Sequence, residues 1–178
     1  NYDGAFEGRV SLRDALVRSR NVPTVRMAME VGVDQVISMA HQIGLKGNIP
    51  AVPSVVLGTA EVTPLDLTTA FATFATLGSH PEPRLVMRVL DSHGQVIWSQ
   101  EPTRSGTLDP AVAFIVTSML KDVVDRGTAT AVRGAGYQGV AAGKTGTTND
   151  AADIWFVGYT PKLVAGVCPE YRAARRWL

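Results

Sequence analysis

Apolar residues recur first at helical and later at strand spacing along this chain. Over 11–18, Leu12, Ala15 and Leu16 make an apolar face behind Ser11. Asp14 stands three residues after that hydroxyl, the pattern of a helix start. Ser19-Arg20-Asn21 breaks this helix. Pro23 suits the first turn of a second helix, which carries Val25, Met27, Ala28 and Val31 and ends at Gly32. A third helix covers 34–43, with Val33, Val36, Ile37, Ala40 and Ile43 at helical spacing before Gly44. The stretch 45–59, with Gly47, Asn48, Pro50, Pro53 and Gly58, reads as an ordered loop. Thr63-Pro64, a capping hydroxyl and a first-turn proline, opens a fourth helix that runs to Leu77 and stops at Gly78.

The period then changes. Segments 85–90 and 95–99 read as strands joined by Asp91-Ser92-His93-Gly94, a β-hairpin. Asp109-Pro110 opens a long helix to about residue 125, with Val112, Ile115, Val116, Met119, Val123 and Val124 as its predicted buried stripe. Three short strands follow over 139–144, 153–159 and 163–167, the last two linked by the tight turn Thr160-Pro161-Lys162. Helices first, then a mostly antiparallel sheet, make an α+β fold.

Composition narrows the function. A chain of 178 residues is long enough for one domain with a sizeable core. A net charge of +1 argues against nucleic-acid binding, and 46% hydrophobic content argues against disorder. Cys168 is the sole cysteine, so no internal disulfide forms, and no Cys/His spacing suits zinc; neither metal nor cofactor is expected. The longest apolar stretch, 111–120, already holds Thr117 and Ser118 and falls well short of the ~20 residues of a membrane span. The opening Asn1-Tyr2-Asp3-Gly4 lacks an initiator methionine and has no leader character, which suggests a piece of something longer.

The most conspicuous string is Ala142-Gly143-Lys144-Thr145-Gly146-Thr147-Thr148. A phosphate-binding loop would need a glycine where Gln138 stands, and a helix after the lysine rather than a turn over 147–150. Lys-Thr-Gly on a strand suits acyl transfer better. The lysine presents a charge to a substrate carboxylate, the threonines bind its oxygens, and Gly146 lets a peptide lie along the strand edge. Taken alone, the tripeptide is equally an exposed turn. Ser19-Arg20-Asn21 pairs a hydroxyl proton relay with an amide, though a helix cap explains it as well. Ser118-Met119-Leu120-Lys121 matches Ser-x-x-Lys, but lies mid-helix and after Ser-x-Asn, so it reads as a solvated helix face. His41, His80 and His93 read as surface residues; Asp150 and Asp153 read as turn-shaping, and Trp155 and Phe156 as strand packing.

Taken together, the strings Ser11-Leu12-Arg13-Asp14-Ala15-Leu16, Ser19-Arg20-Asn21-Val22-Pro23, Leu57-Gly58-Thr59-Ala60-Glu61-Val62-Thr63-Pro64-Leu65 and Lys144-Thr145-Gly146-Thr147-Thr148-Asn149-Asp150, followed by Ile154-Trp155-Phe156-Val157-Gly158-Tyr159, are more specific. This order closely resembles the transpeptidase domain of class A, bifunctional penicillin-binding proteins. The resemblance implies a β-lactamase/transpeptidase-like fold and a D,D-transpeptidase that cross-links peptidoglycan stem peptides ending in D-Ala-D-Ala through a serine acyl-enzyme. β-Lactam antibiotics acylate the same serine. By motif, Ser19 is then the proton-relay serine, and Asn21 holds a substrate amide and the general-base lysine. Lys144 polarises Ser19 and attracts the terminal carboxylate. Thr145 and Thr147 bind that carboxylate, the Thr147 N–H forms half the oxyanion hole, and Gly146 keeps the edge open. The full-length family members carry a glycosyltransferase domain and work on the outer face of the bacterial cytoplasmic membrane.

The chain departs from the pattern at both ends. No Ser-x-x-Lys precedes Ser19; the resemblance places one about 50–60 residues upstream. The expected organisation is a partial transpeptidase domain over 1–167, incomplete at its N-terminus and inactive alone, with an atypical tail over 168–178. Its partners are then the stem peptides, β-lactams and the missing part of the same domain, with no nucleic acid. Two other readings stand beside it: a non-catalytic peptide-binding remnant, and a relative of serine β-lactamases or D,D-carboxypeptidases. The second needs a base to activate water for deacylation, and none is evident.

Overall fold

The computed structural model describes residue 4 and residues 6–147 and 154–168. Four helices come first: α1 (Leu12–Val17), α2 (Asn21–Val31), α3 (Val33–Gln42) and α4 (Pro64–Ala75), with a 3-10 turn at Pro53–Leu57. The predicted caps explain their starts. Ser11 Oγ accepts from the Asp14 N–H at 3.0 Å, and Thr63 Oγ1 accepts from the Asp66 N–H at 3.1 Å. After α4, β1 (Ser79–Pro81) pairs antiparallel with the distant β4 (Arg104–Gly106). Between them β2 (Arg88–Leu90) and β3 (Val96–Ser99) form the predicted hairpin, with an irregularity between Val89 and Leu90. Every residue of these two hairpin strands is exposed.

Next come α5 (Pro110–Arg126), capped by Asp109, and the short α6 (Ala131–Gly134). Strands β5 (Ala142–Thr147), β6 (Ile154–Tyr159) and β7 (Val164–Val167) close the chain as an antiparallel sheet of order β5-β6-β7. The Thr160 turn is as expected: its Oγ1 accepts from the Lys162 and Leu163 N–H groups. α5 packs on β5, and α4 packs on β6 and β7. α4 lies so close to β7 that a Cβ at Gly166 would stand 2.1 Å from Thr68 Oγ1. α1 also lies against α5. The core between these layers joins Val17, Leu120, Val123, Val124, Ala129, Ala142 and Tyr159. The α+β architecture with an antiparallel sheet is the expected one.

Three expectations are corrected. The buried side of α5 is rotated from the predicted stripe: Val112 and Ile115 are half exposed, whereas Ala113, Leu120, Val123 and Val124 are buried. Thr117 belongs to the inner side because its hydroxyl donates to Phe74 O at 3.4 Å and accepts from the Tyr159 hydroxyl at 2.9 Å. The first sheet strand covers 142–147, not 139–144, and Thr147 is a strand residue paired with Ile154. His80 is no surface residue. It sits half-buried in β1, with its Nδ1 3.0 Å from Thr73 Oγ1. The Thr148–Asp150 part of the motif, Asp153 and the tail after Cys168 lie outside the described residues.

Candidate active site

The fold brings Ser19 and Lys144, 125 residues apart in the chain, within one hydrogen bond. Lys144 Nζ donates to Ser19 Oγ at 2.9 Å. Each is anchored by the same core. Val17, fully buried two residues before Ser19, and Ala142, buried two residues before Lys144, belong to one cluster with Val123 and Val124. The two-residue period of a strand puts Ala142 and Lys144 on one face, so the lysine continues the line that packs on α5.

Ser19 occupies a strained position. The Ser19 N–H donates to Leu16 O at 3.2 Å and the Arg20 N–H to Ala15 O at 2.8 Å, the two bonds of a Schellman helix end. The residue between them must be left-handed, and Ser19 has φ 54°. Glycine is the usual occupant; a side chain there costs on the order of 1 kcal/mol. Arg18 and Arg20 both form ion pairs with Glu7, which ties the turn to the segment before α1. Asn21 is the first residue of α2, half-buried; among the described residues no hydrogen bond joins it to Lys144.

Lys144 is a half-buried ammonium without a carboxylate in ion-pair range among the described residues. Burial pushes its pKa down to about 8. Of its three N–H donors, one goes to Ser19 Oγ and one to the Thr145 carbonyl at 2.9 Å, and the third has no partner among the described residues. Thr145 is half-buried, and its Oγ1 lies 2.6 Å from the hydroxyl of Thr128, in the turn between α5 and α6. Thr147 is exposed at the end of β5. Gly146 faces Trp155 across the ladder, and a Cβ there would come within 3.3 Å of Trp155 Cβ. Among the described residues β5 has a strand neighbour on one side only, β6. Beyond Gly146 and Thr147 lies a largely apolar cleft of about 580 Å³, walled by Ile37, Leu57, Leu67 and Trp155. Trp155 is thus a cleft residue as well as a strand residue.

Lys144, Thr145, Gly146 and Thr147 therefore share one strand, and Ser19 joins them; Asn21 stands at the adjoining helix start. The competing Ser118 and Lys121 are engaged elsewhere. Ser118 Oγ accepts from both Arg13 Nη atoms at 3.2 Å, and Lys121 pairs with Asp125 at 2.8 Å. His41 and His93 are exposed, as expected; His41 Nδ1 lies 2.9 Å from Leu45 O. Nothing in Gly127-Thr128-Ala129 marks Thr128 in the sequence apart from its place after a helix.

A strand-borne lysine, with no carboxylate partner among the described residues, is bonded to a serine at a helix end, and the similarity to known proteins gives the family. The transpeptidase family described as the penicillin binding protein transpeptidase domain matches residues 1–167, and the chain belongs to it. Penicillin-binding protein 1A of Rickettsia bellii is 35% identical over 198 aligned positions, covering 98% of this chain and 25% of that protein. Penicillin-binding protein 1A of Aquifex aeolicus is 39% identical over 171 positions, covering 96% of this chain and 23% of that protein. The chain thus spans about a quarter of the length of these curated relatives. Penicillin-binding protein 1A of Haemophilus influenzae shares the fold with a TM-score of 0.91 at 21% identity, over 99% of this chain and 32% of that one. PonA1 of Mycobacterium tuberculosis, solved with penicillin V, superposes with a TM-score of 0.80 at 29% identity, over 94% of this chain and 49% of that one.

Proposed function

We propose that this chain is the carboxylate-binding and proton-relay part of a D,D-transpeptidase that cross-links peptidoglycan stem peptides ending in D-Ala-D-Ala. The observation that carries the proposal is the Lys144–Ser19 bond, made by a desolvated ammonium that has no carboxylate partner among the described residues. Such a cation attracts an anion, and the hydroxyls of Thr145 and Thr147 stand beside it on the strand. A peptide along the open side of β5 adds to the sheet and places its terminal carboxylate at these groups. The cleft beyond Gly146 receives its apolar part.

In the reaction, the nucleophilic serine gives its hydroxyl proton to the general-base lysine of its own Ser-x-x-Lys as it attacks the carbonyl between the two D-alanines. The C–N bond breaks, and the leaving amine takes a proton. Because Lys144 donates to Ser19 Oγ, the Ser19 proton remains available for that amine, and Ser19 recovers one from Lys144. Asn21 holds the substrate amide. An acceptor amine from a second stem peptide then attacks the ester carbonyl and loses a proton through Ser19 back to Lys144, while the C–O bond breaks and the serine oxygen takes back its proton from the general-base lysine. No Ser-x-x-Lys precedes Ser19 in these residues, so the acyl-accepting serine is assigned to chain beyond them. β-Lactams enter the same site through their own carboxylate. The setting proposed is the outer face of a bacterial cytoplasmic membrane, in a protein that also carries a glycosyltransferase.

The test is an NMR titration with an N-acyl-D-Ala-D-Ala peptide. Saturable shifts at the amides of 144–147 are expected, and Lys144→Met removes them. Absence of any shift on β5 in the folded wild type overturns the assignment.

A further inference from the structure

We propose that Thr128 is a positioning residue of the anion site. Its hydroxyl donates to Thr145 Oγ1 and so presets Thr145 to donate its own proton to a ligand carboxylate. The inference rests on the carboxylate reading above and adds a residue to it.

A threonine hydroxyl has one proton and two acceptor lone pairs. Thr128 Oγ1 and Thr145 Oγ1 are 2.6 Å apart, so one must donate to the other. If Thr145 were the donor, its proton would be spent on Thr128, and only lone pairs would face an incoming carboxylate. The reverse arrangement leaves the Thr145 proton free. An anion beside Lys144 selects that arrangement, because a hydrogen bond to a carboxylate is stronger than one between neutral hydroxyls. Thr128 can act as donor at little cost, since it is exposed and its own lone pairs stay hydrated. Lys144 and Ser19 follow the same logic, where a donor behind the serine keeps the serine proton available.

Thr128 is also held where this requires. Its N–H donates to Val17 O at 3.3 Å, and Gly127 lets the turn approach so closely that a Cβ would lie 2.5 Å from that oxygen. One residue therefore touches the turn that presents Ser19 and the strand that presents Lys144.

The experiment compares N-acyl-D-Ala-D-Ala with its C-terminal carboxamide, using Thr128→Val, Thr128→Ser, Thr145→Val and the Thr128→Val/Thr145→Val double variant. Thr128→Val should weaken carboxylate binding by about fivefold, the worth of one ordinary hydrogen bond, and leave carboxamide binding unchanged. Thr128→Ser should restore it. The double variant should bind no worse than Thr145→Val alone. Wild-type affinity in Thr128→Val, additive losses, or an equal loss for both ligands overturns the proposal. Failure of the carboxylate reading shows differently, as absence of binding in the wild type. A double-mutant cycle on urea unfolding of the ligand-free chain then still reads the Thr128–Thr145 bond, and zero coupling overturns the inference by itself.

Discussion

Raising the pH is expected to stabilise this protein relative to a Lys144→Met variant. Burial holds the Lys144 pKa at about 8, whereas in the unfolded chain a lysine titrates near 10.4. Below about pH 8 both states carry the proton, and the full cost of a desolvated cation is present. Between about pH 8 and 10.4 the unfolded state binds more protons, so unfolding free energy rises with pH. Above that range both states are neutral and the cost has gone. A gap of about 2.4 units at 1.36 kcal/mol per unit makes the full effect about 3 kcal/mol. Methionine has similar bulk and no titration, so subtracting the variant removes most contributions of other groups. The assay is urea unfolding of both proteins at about pH 7, 8, 9 and 10, beside the pH titration of the Lys144 Cε resonance. A midpoint near 8 and a stability difference that grows with pH are expected. A midpoint near 10.4 with a flat difference would refute the claim that the Lys144 ammonium is desolvated. Carboxylate binding should also decline as the pH rises through about 8, because the anion prefers the charged form.

The left-handed Ser19 predicts an inverted ranking. Ser19→Gly should be more stable than Ser19→Ala by about 1 kcal/mol, since both lose the hydroxyl and only alanine keeps a Cβ at φ 54°; thermal melts of the pair decide it, and equal stability counts against the strain. Gly127→Ala should cost about 2 kcal/mol or more, because its Cβ would meet Val17 O at 2.5 Å and Val123 Cα at 2.8 Å, both backbone; unchanged stability in urea would show that the turn can move. Intact-mass spectrometry after excess penicillin should show no covalent adduct; a stoichiometric adduct would reject the assignment of the nucleophile to chain beyond these residues, and Ser118 would be the first serine to map.

The helix starts were legible because they are local: Ser11, Thr63 and Asp109 each cap the helix that follows within three residues. The start of β5 was not. Arg133 Nη1 bonds the carbonyls of Tyr137 and Gly139 at 2.8 and 2.7 Å, which withdraws them from the sheet. The β1–β4 pair has no sequence signature because its two strands have three residues each and lie more than twenty residues apart, without alternation. On α5, Thr117 read as polar although it faces inward, because its partners Phe74 and Tyr159 come from other elements. The site was readable as separate motifs and through the family they resemble, but not as geometry. No local pattern announces that Ser19 meets Lys144, or that Thr128 stands behind Thr145.

That single bond across 125 residues also has a kinetic meaning. Loop-closure entropy opposes so distant a contact, and nothing repays it until Val17, Val123, Val124 and Ala142 have come together. A nascent chain that has not yet extended past β5 has no anion site at all. In hydrogen exchange, the amides around Ser19 should therefore open together with those of α5 and β5, as one cooperative unit.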